Sequence, residues 1–289
     1  MENKMKMAIV GIGSWGKNLL KEFNLQAEVI YACHNGKTET SKFLKENYPT
    51  VKEVVLEEIL SDTSIEAVAI ATPTLTHKEI ALKAINARKH VFLEKPGGSS
   101  SAELEEIVSQ AKEKRVTLAI GYELPHHPAW KNILEIIPLN SIKKIHLEFF
   151  KWGTFVEHAV TNLLCHDISL LLDISPEVKV VRTSIYGIVS SSDVVDTEFD
   201  CGTFGATSWI NRVSLEKKRS VTVVSDGTSL IWSNDKLFDT TGKEISINAN
   251  SPVSLEIKDF IEAIRNKREP KINGDFALAV YKILDRIML

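Results

Sequence analysis

Cysteine is scarce in this chain of 289 residues: Cys33, Cys165 and Cys201 are the three, and no two stand in C-x-x-C spacing. That excludes a disulfide framework and a zinc ribbon. An excess of charge is also missing, with 35 Lys plus Arg against 38 Asp plus Glu and a net charge of -3. A general nucleic-acid binder would carry a basic excess or stripe, so no nucleic-acid partner is expected. Long apolar runs are absent too. The N-terminal MENKMKMAIVGIG is basic and then briefly apolar, and Gly interrupts the run after a strand's length, too early for a signal peptide or a membrane span. A soluble, cytoplasmic protein without a membrane partner is expected. What is present is ordinary globular composition, 44% hydrophobic and 25% charged, in a chain too long for one domain of ~100–150 residues.

The first 120 residues alternate short apolar runs with stretches of helical period, which predicts βαβ units and a doubly wound parallel sheet. Strands are expected at 7–12, 28–33, 66–71, 90–94 and 116–121. Between them, stretches such as HKEIALKAINAR and AELEEIVSQAKEK space apolar residues three or four apart, as one-sided helices do. Ser101, ahead of Glu103, Glu105 and Glu106, reads as a helix N-cap. After Gly121 the pattern changes. A short helix over about 128–137 leads to the strand KKIHLEFF, a helix over 158–173, β-rich segments at 178–189, 196–213 and 219–233, and helices at 253–267 and 275–288. Asp226-Gly227 between β-branched runs is a hairpin signal. The expected architecture is α/β. A dinucleotide-binding domain spans 1–121, and an α+β domain with a mostly antiparallel open sheet spans 122–289, its last helix free to pack back on the first domain.

GIGSWG at 11–16 has the form G-x-G-x-x-G, directly after a strand and before a helical stretch. Gly11 permits the turn, Gly13 lets backbone approach a diphosphate, and Gly16 lets the helix pack close to the strand. The helix end at Ser14 and Trp15 supplies N–H donors and positive potential. The first domain therefore reads as a Rossmann domain holding a dinucleotide; the alternative is a glycine turn serving another ligand. An NAD site usually carries an acidic residue about 20 positions on. Here that place reads Cys33-His34-Asn35-Gly36-Lys37. Without a carboxylate the repulsion against a 2′-phosphate is gone, and His34, Asn35 and Lys37 could donate to it. The cofactor is NADP or NAD, leaning to NADP; the alternative is that Asn35 and Gly36 merely make a turn.

GIGSWGKNLL, AIATPTLTH (69–77), HVFLEKP (90–96), GYELPHHPA (121–129) and NLLCHDISLLL (162–172) together resemble the glucose–fructose oxidoreductase / inositol dehydrogenase (Gfo/Idh/MocA) family. The W-G-x-N-L and x-H-D-I-S runs resemble its nucleotide-sugar dehydrogenase branch. The resemblance implies hydride transfer between a nicotinamide and the carbinol or ketone of a sugar or nucleotide-sugar, with no metal. It also implies a homodimer or homotetramer assembled through the open C-terminal sheet. Thr72, Pro73 and His77 match the family's loop near the nicotinamide ribose. Glu94, Lys95 and Pro96 match its Glu-Lys-Pro, where Pro is commonly cis and Lys reaches the reacting oxygen. His166 matches its catalytic histidine.

Oxidising a secondary alcohol requires a proton to leave oxygen as hydride leaves carbon, which suits a histidine, and a positive group steadies the developing alkoxide. His166 is thus the expected base/acid and Lys95 its electrostatic partner; the plain alternatives are a half-buried helix histidine and a solvated loop lysine. Asn162 lies four residues before His166, on one helical face, where the family often has Asp. Asn can orient a sugar hydroxyl but cannot take a proton. Tyr122, Glu123 and His127 are expected at the substrate, although Glu123 and Leu124 depart from the family's usual residues. His126-His127 and Cys165-His166-Asp167 invite metal or cysteine-nucleophile readings, but no supporting cluster accompanies them. Trp15 and Trp152 read as ligand-stacking or packing aromatics, and Lys217-Lys218-Arg219 as a solvated hairpin. Two competing functions remain: a reductase of a non-sugar substrate, and a non-catalytic dinucleotide-binding sensor or partner subunit.

Overall fold

Apolar runs too short for a membrane and bounded by Gly or polar residues become the strands of the first unit. The computed structural model describes residues 4–289; residues 1–3 of the basic N-terminal stretch lie outside the described residues. One compact unit takes the chain up to Tyr122 together with Val253–Leu278. Its sheet is built from β1 (Lys6–Val10), β2 (Glu28–Cys33), β3 (Lys52–Glu53), β4 (Ala67–Ile70), β5 (His90–Glu94) and β6 (Leu118–Gly121). These alternate with helices α1 (Ser14–Gln26), α2 (Thr38–Asn47), α3 (Leu56–Ser61), α4 (His77–Asn86) and α5 (Ser101–Lys114). The strands are parallel in the order β3-β2-β1-β4-β5-β6. β4 and β6 are buried at every residue, as sheets covered on both faces require. The strand order reverses between β2 and β4, on either side of β1, which opens a crevice at the carboxyl ends. The cap of α5 is Ser100, whose hydroxyl accepts the Glu103 N–H at 3.2 Å. It stands one residue ahead of the expected Ser101.

The core of this unit centres on Phe23, Phe92 and Phe260, which meet edge to face with centroids 5.4, 5.7 and 6.4 Å apart. Phe260 comes from helix α8, defined below, whose Ile257 and Ile261 join the same core. Asn273 bridges to Ala119 beside β6. Residues 253–278 thus group with the first unit, within the 122–289 stretch expected as the second domain. Helical period identifies an apolar stripe but not the surface that buries it.

The second unit holds Glu123–Pro252 and Ala279–Leu289. It contains α6 (Pro128–Ile136), β7 (Ile142–Trp152), α7 (Cys165–Ile174), β8 (Lys179–Tyr186), β9 (Val194–Asp200), β10 (Gly205–Asn211), β11 (Val213–Ser225), β12 (Thr228–Ser233), β13 (Lys236–Asp239) and β14 (Glu244–Ile245). The closing helices are α8 (Pro252–Arg265) and α9 (Gly274–Met288). The eight strands run β14-β13-β12-β11-β7-β10-β9-β8, antiparallel except for β7 and β10. Asp226-Gly227 makes the β11–β12 turn, with Gly227 at φ 84°. The expected 196–213 strand is instead the β9–β10 hairpin, turned at Gly202 (φ 79°).

Ion pairs at two places tie this unit together. Arg212, fully buried, donates to Asp193 (3.3 Å), the Thr154 carbonyl (2.6 Å), the Glu157 carbonyl and Ser190 (2.6 Å). Burial alone would raise the Asp193 carboxyl. The Ser190 hydroxyl and the amides of Ser190, Ile188 and Val189 outweigh it and hold the group well below the usual range. The second place corrects the basic run: Lys218 and Arg219 lie within β11, not in a solvated hairpin. Lys218 meets Glu148 at 2.6 Å, and Arg219 donates to the buried Asp167 of α7 at 3.0 Å. Among the described residues, no helix is long and apolar enough to cross a membrane.

The assignment of α8 to the first unit has a direct check. Phe260→Ala is expected to cost about 3–5 kcal/mol. In native-state hydrogen exchange, protection should fall in β1 and β5, not in β7–β10.

Candidate active site

The turn from β1 into α1 is dictated by contact. Gly11 has φ 94°, and a Cβ there would stand 2.5 Å from the Ala71 carbonyl oxygen; one at Gly16 would collide with the Gly11 carbonyl. α1 therefore starts hard against the sheet. Its first turn carries no acidic residue and its N-cap, Gly13, offers no side chain, so the amide donors and positive end of the helix are open to an anion. Ser14 and Trp15 open the helix, both exposed.

A cavity of about 450 Å³ lies along this turn, lined by Gly11, Ile12 and Gly13, by Cys33, His34, Asn35 and Lys37 after β2, and by Ala71, Thr72 and Pro73 after β4. A Cβ on Gly13 would meet no atom within 4 Å, so that glycine leaves open the space a ligand backbone needs. These residues fit a dinucleotide. No carboxylate lines the cavity, and Lys37 is the lysine that does.

Four of the expected cofactor residues hold protein partners. His34 Nε2 meets Glu53 of β3 at 2.8 Å while its Nδ1 accepts the Gly36 N–H at 3.1 Å. Both ring nitrogens of His34 thus have partners within the loop and β3. Glu53 also accepts the Ser41 hydroxyl at 2.5 Å, and the Ser41 and His34 hydrogen bonds lower its pKa. Sequence reading missed this carboxylate because β3 has only two residues and reaches β2 through pairing alone. His77 is fully buried, its ring nitrogens 2.8 Å from the Thr72 and Pro96 carbonyls. Burial pulls its pKa down against the pull of those carbonyls. It buckles the two loops together and does not line the cavity. Trp15 donates its indole N–H to Glu94 at 2.5 Å, which joins the glycine loop to the exit of β5. The Glu94 carboxyl stands 3.0 Å from where a Gly121 Cβ would be, so a side chain there would press on that carboxylate. Lys95 follows, half-buried, with a cis bond to Pro96. Tyr122, just beyond Gly121, is fully buried.

In the second unit, His166 sits in the first turn of α7, 8% exposed, and its Nδ1 lies 3.8 Å from Glu123 Oε2. α7 is fixed on two sides. Asp167 accepts the Ser208 hydroxyl at 2.6 Å and Arg219, and Asp173 accepts the Trp130 indole N–H at 2.8 Å. The expected regular helix over 158–173 is broken, because Val160–Leu164 forms a π-helical turn. Asn162 lies in that turn, so its relation to His166 is not the simple four-residue one. His127 is turned inward. Its Nδ1 caps α6 by accepting the Ala129 N–H at 3.1 Å, and its ring lies 4.2 Å from that of Trp232. Trp152, 60% exposed, packs edge-on against Phe155. Among the described residues no three His, Cys, Asp or Glu side chains gather as a metal site requires.

The family description "Oxidoreductase family, NAD-binding Rossmann fold" (GFO_IDH_MocA) matches residues 5–122. The match likens the first unit to the NAD-binding domain of the Gfo/Idh/MocA family. An uncharacterised oxidoreductase of Synechocystis is 28% identical over 151 residues, 51% of this chain and 40% of that one. Myo-inositol 2-dehydrogenase of Thermotoga maritima is 24% identical over 145 residues, 50% of this chain and 43% of its own. The chain thus spans less than half the length of these two relatives. UDP-N-acetylglucosamine 3-dehydrogenase of Acidithiobacillus ferrooxidans is 23% identical over 213 residues, 71% of this chain and 63% of its own. Its solved structure superposes with a TM-score of 0.89 at 20% identity, over 98% of this chain and 96% of that one. The chain shares that fold.

Burial pushes the His127 imidazole down to about 4, the field of Asp235 opposing and that of Arg219 assisting. A group depressed on folding lends stability that is present above its unfolded pKa and lost as pH falls through the folded one. Between pH ~6.5 and 4 the second unit should therefore weaken by about 1.4 kcal/mol per pH unit on this account. His127→Asn keeps a capping side chain without titrating, so it should flatten that slope in urea melts at stepped pH.

Proposed function

We propose that this protein is a Gfo/Idh/MocA oxidoreductase that transfers hydride between NADP and the carbinol or ketone of a sugar or nucleotide-sugar. What carries the reading is the cavity along the glycine turn, which offers a helix N-terminus and a lysine and presents no carboxylate. The diphosphate would rest on the Gly11–Gly16 turn, and Thr72 and Pro73 would face the nicotinamide ribose. Lys37 with Asn35 would hold a 2′-phosphate. NAD remains the alternative cofactor.

The nicotinamide, when bound, supplies the hydride acceptor or donor. Lys95, at the exit of β5, steadies the negative charge that grows on the reacting oxygen, as a fixed cation in a water-poor site does. His166 takes the hydroxyl proton in oxidation and returns it in reduction. Tyr122, Glu123 and Asn162 belong to the substrate side. In this reading the second unit binds substrate and pairs protomers through its open sheet face, where Trp209, Val224 and Ile231 are exposed. That arrangement gives a homodimer or homotetramer, in the cytoplasm, where Cys33, Cys165 and Cys201 stay free thiols. A second reading, a dinucleotide-binding sensor, draws on Asn162 standing where the resemblance implies Asp.

Two measurements test this. Lys37→Ala should weaken NADPH by about tenfold and NADH by less, the loss of one charge-assisted contact; the reverse order in a fluorescence titration would overturn the NADP assignment. Lys95→Ala should abolish turnover across a sugar and nucleotide-sugar panel while cofactor affinity stays within a few-fold. Unchanged turnover would refute its role, and a wild type that binds cofactor yet turns over nothing in the panel would favour the sensor.

A further inference from the structure

The resemblance implies a carboxylate one turn before the catalytic histidine, and Asn162 stands there instead, in a π-helical turn. A carboxylate is nonetheless beside His166. It comes from Glu123, in the segment after β6, whose Oε2 lies 3.8 Å from Nδ1 with side-chain exposures of 22% for Glu123 and 10% for His166. The Leu124–His126 turn that follows Glu123 packs against α7, so the residue is held where it stands. Other groups near the helix are committed or uncharged. Asp167 faces Ser208 and Arg219, the Cys165 thiol lies 3.5 Å from the Asn162 carbonyl, and His127 is kept neutral by burial. His126 is buried on the same turn as Glu123.

We propose that Glu123 is the positioning residue for His166, a role that rests on His166 acting as the base. The carboxylate favours the neutral tautomer protonated on Nδ1, which leaves the Nε2 lone pair to receive the substrate proton, and it stabilises the imidazolium that results. In oxidation the O–H bond of the carbinol breaks and its proton passes to Nε2. The C–H electron pair leaves as hydride to the oxidised nicotinamide, and a C=O bond forms. In reduction Nε2 returns the proton. The same division of labour between an orienting carboxylate and a working imidazole operates in hydrolase triads.

Long-range proton–nitrogen NMR of the histidines in the cofactor-free protein tests this, with His166 assigned by its loss in His166→Asn. The expected result is a neutral tautomer protonated on Nδ1 and a titration midpoint that falls by about one pH unit in Glu123→Gln. Glu123→Asp should restore most of that midpoint. An Nε2-protonated tautomer in the wild type, or an unmoved midpoint in Glu123→Gln, overturns the proposal. Turnover of UDP-N-acetylglucosamine with oxidised NADP separates it from the base reading. Loss in both single variants with no further loss in the double variant supports the pair. Loss in His166→Asn with full activity in Glu123→Gln overturns the role of Glu123 alone. Full activity in His166→Asn overturns the base reading and the pairing with it.

Discussion

The closeness of Gly16 to the Gly11 carbonyl decides where α1 begins, and much of the first unit depends on that point. With no side chain at either position the helix starts against the sheet, and its amide end opens at the carboxyl edge of β1, where the strand order reverses. Electrostatics then follow from geometry. A helix end without an acidic first turn and a loop bearing Lys37 make a cavity suited to a phosphorylated anion. The Trp15–Glu94 hydrogen bond ties this turn to the strand exit that carries Lys95, so the glycine turn and Lys95 share one frame.

The second unit solves a different problem, that of holding one short helix in a fixed attitude. α7 is clasped through Asp167 by Ser208 and Arg219, and through Asp173 by Trp130. Buried ion pairs contribute little net stability, because desolvation offsets their attraction, but they penalise any other arrangement. Helix α7 carries His166 in its first turn, so specificity of placement is what the fold obtains from them. Around Arg212 the same device joins Asp193 and Ser190 to the Thr154 and Glu157 carbonyls of the loop after β7.

The parallel sheet was legible in the amino-acid sequence because strands buried on both faces read as unbroken apolar runs; β2 and β5 fall at the expected residues. The glycine turn was legible for the same local reason. What escaped reading was set by tertiary partners. Pairing of β3 with β2 brings Glu53 to His34, and the fold lays the His127 ring beside Trp232, contacts with no local signal. Lys218 and Arg219 resembled a solvated run, yet β11 continues through them and presents each to a carboxylate on an opposite face of the sheet. Phe260 carried no mark of the unit whose core it completes. The π-helical turn at 160–164 had no composition signal at all.

All of this turns on whether a dinucleotide occupies the glycine turn, and nicotinamide fluorescence on titration with NADPH and NADH measures that most directly. The wild type should bind with a dissociation constant of tens of micromolar or tighter, and Gly13→Val, which would put side-chain carbons into the open cavity, should lose that binding while remaining folded. A wild type that binds neither nucleotide, or a folded Gly13→Val that binds as the wild type does, would contradict the account.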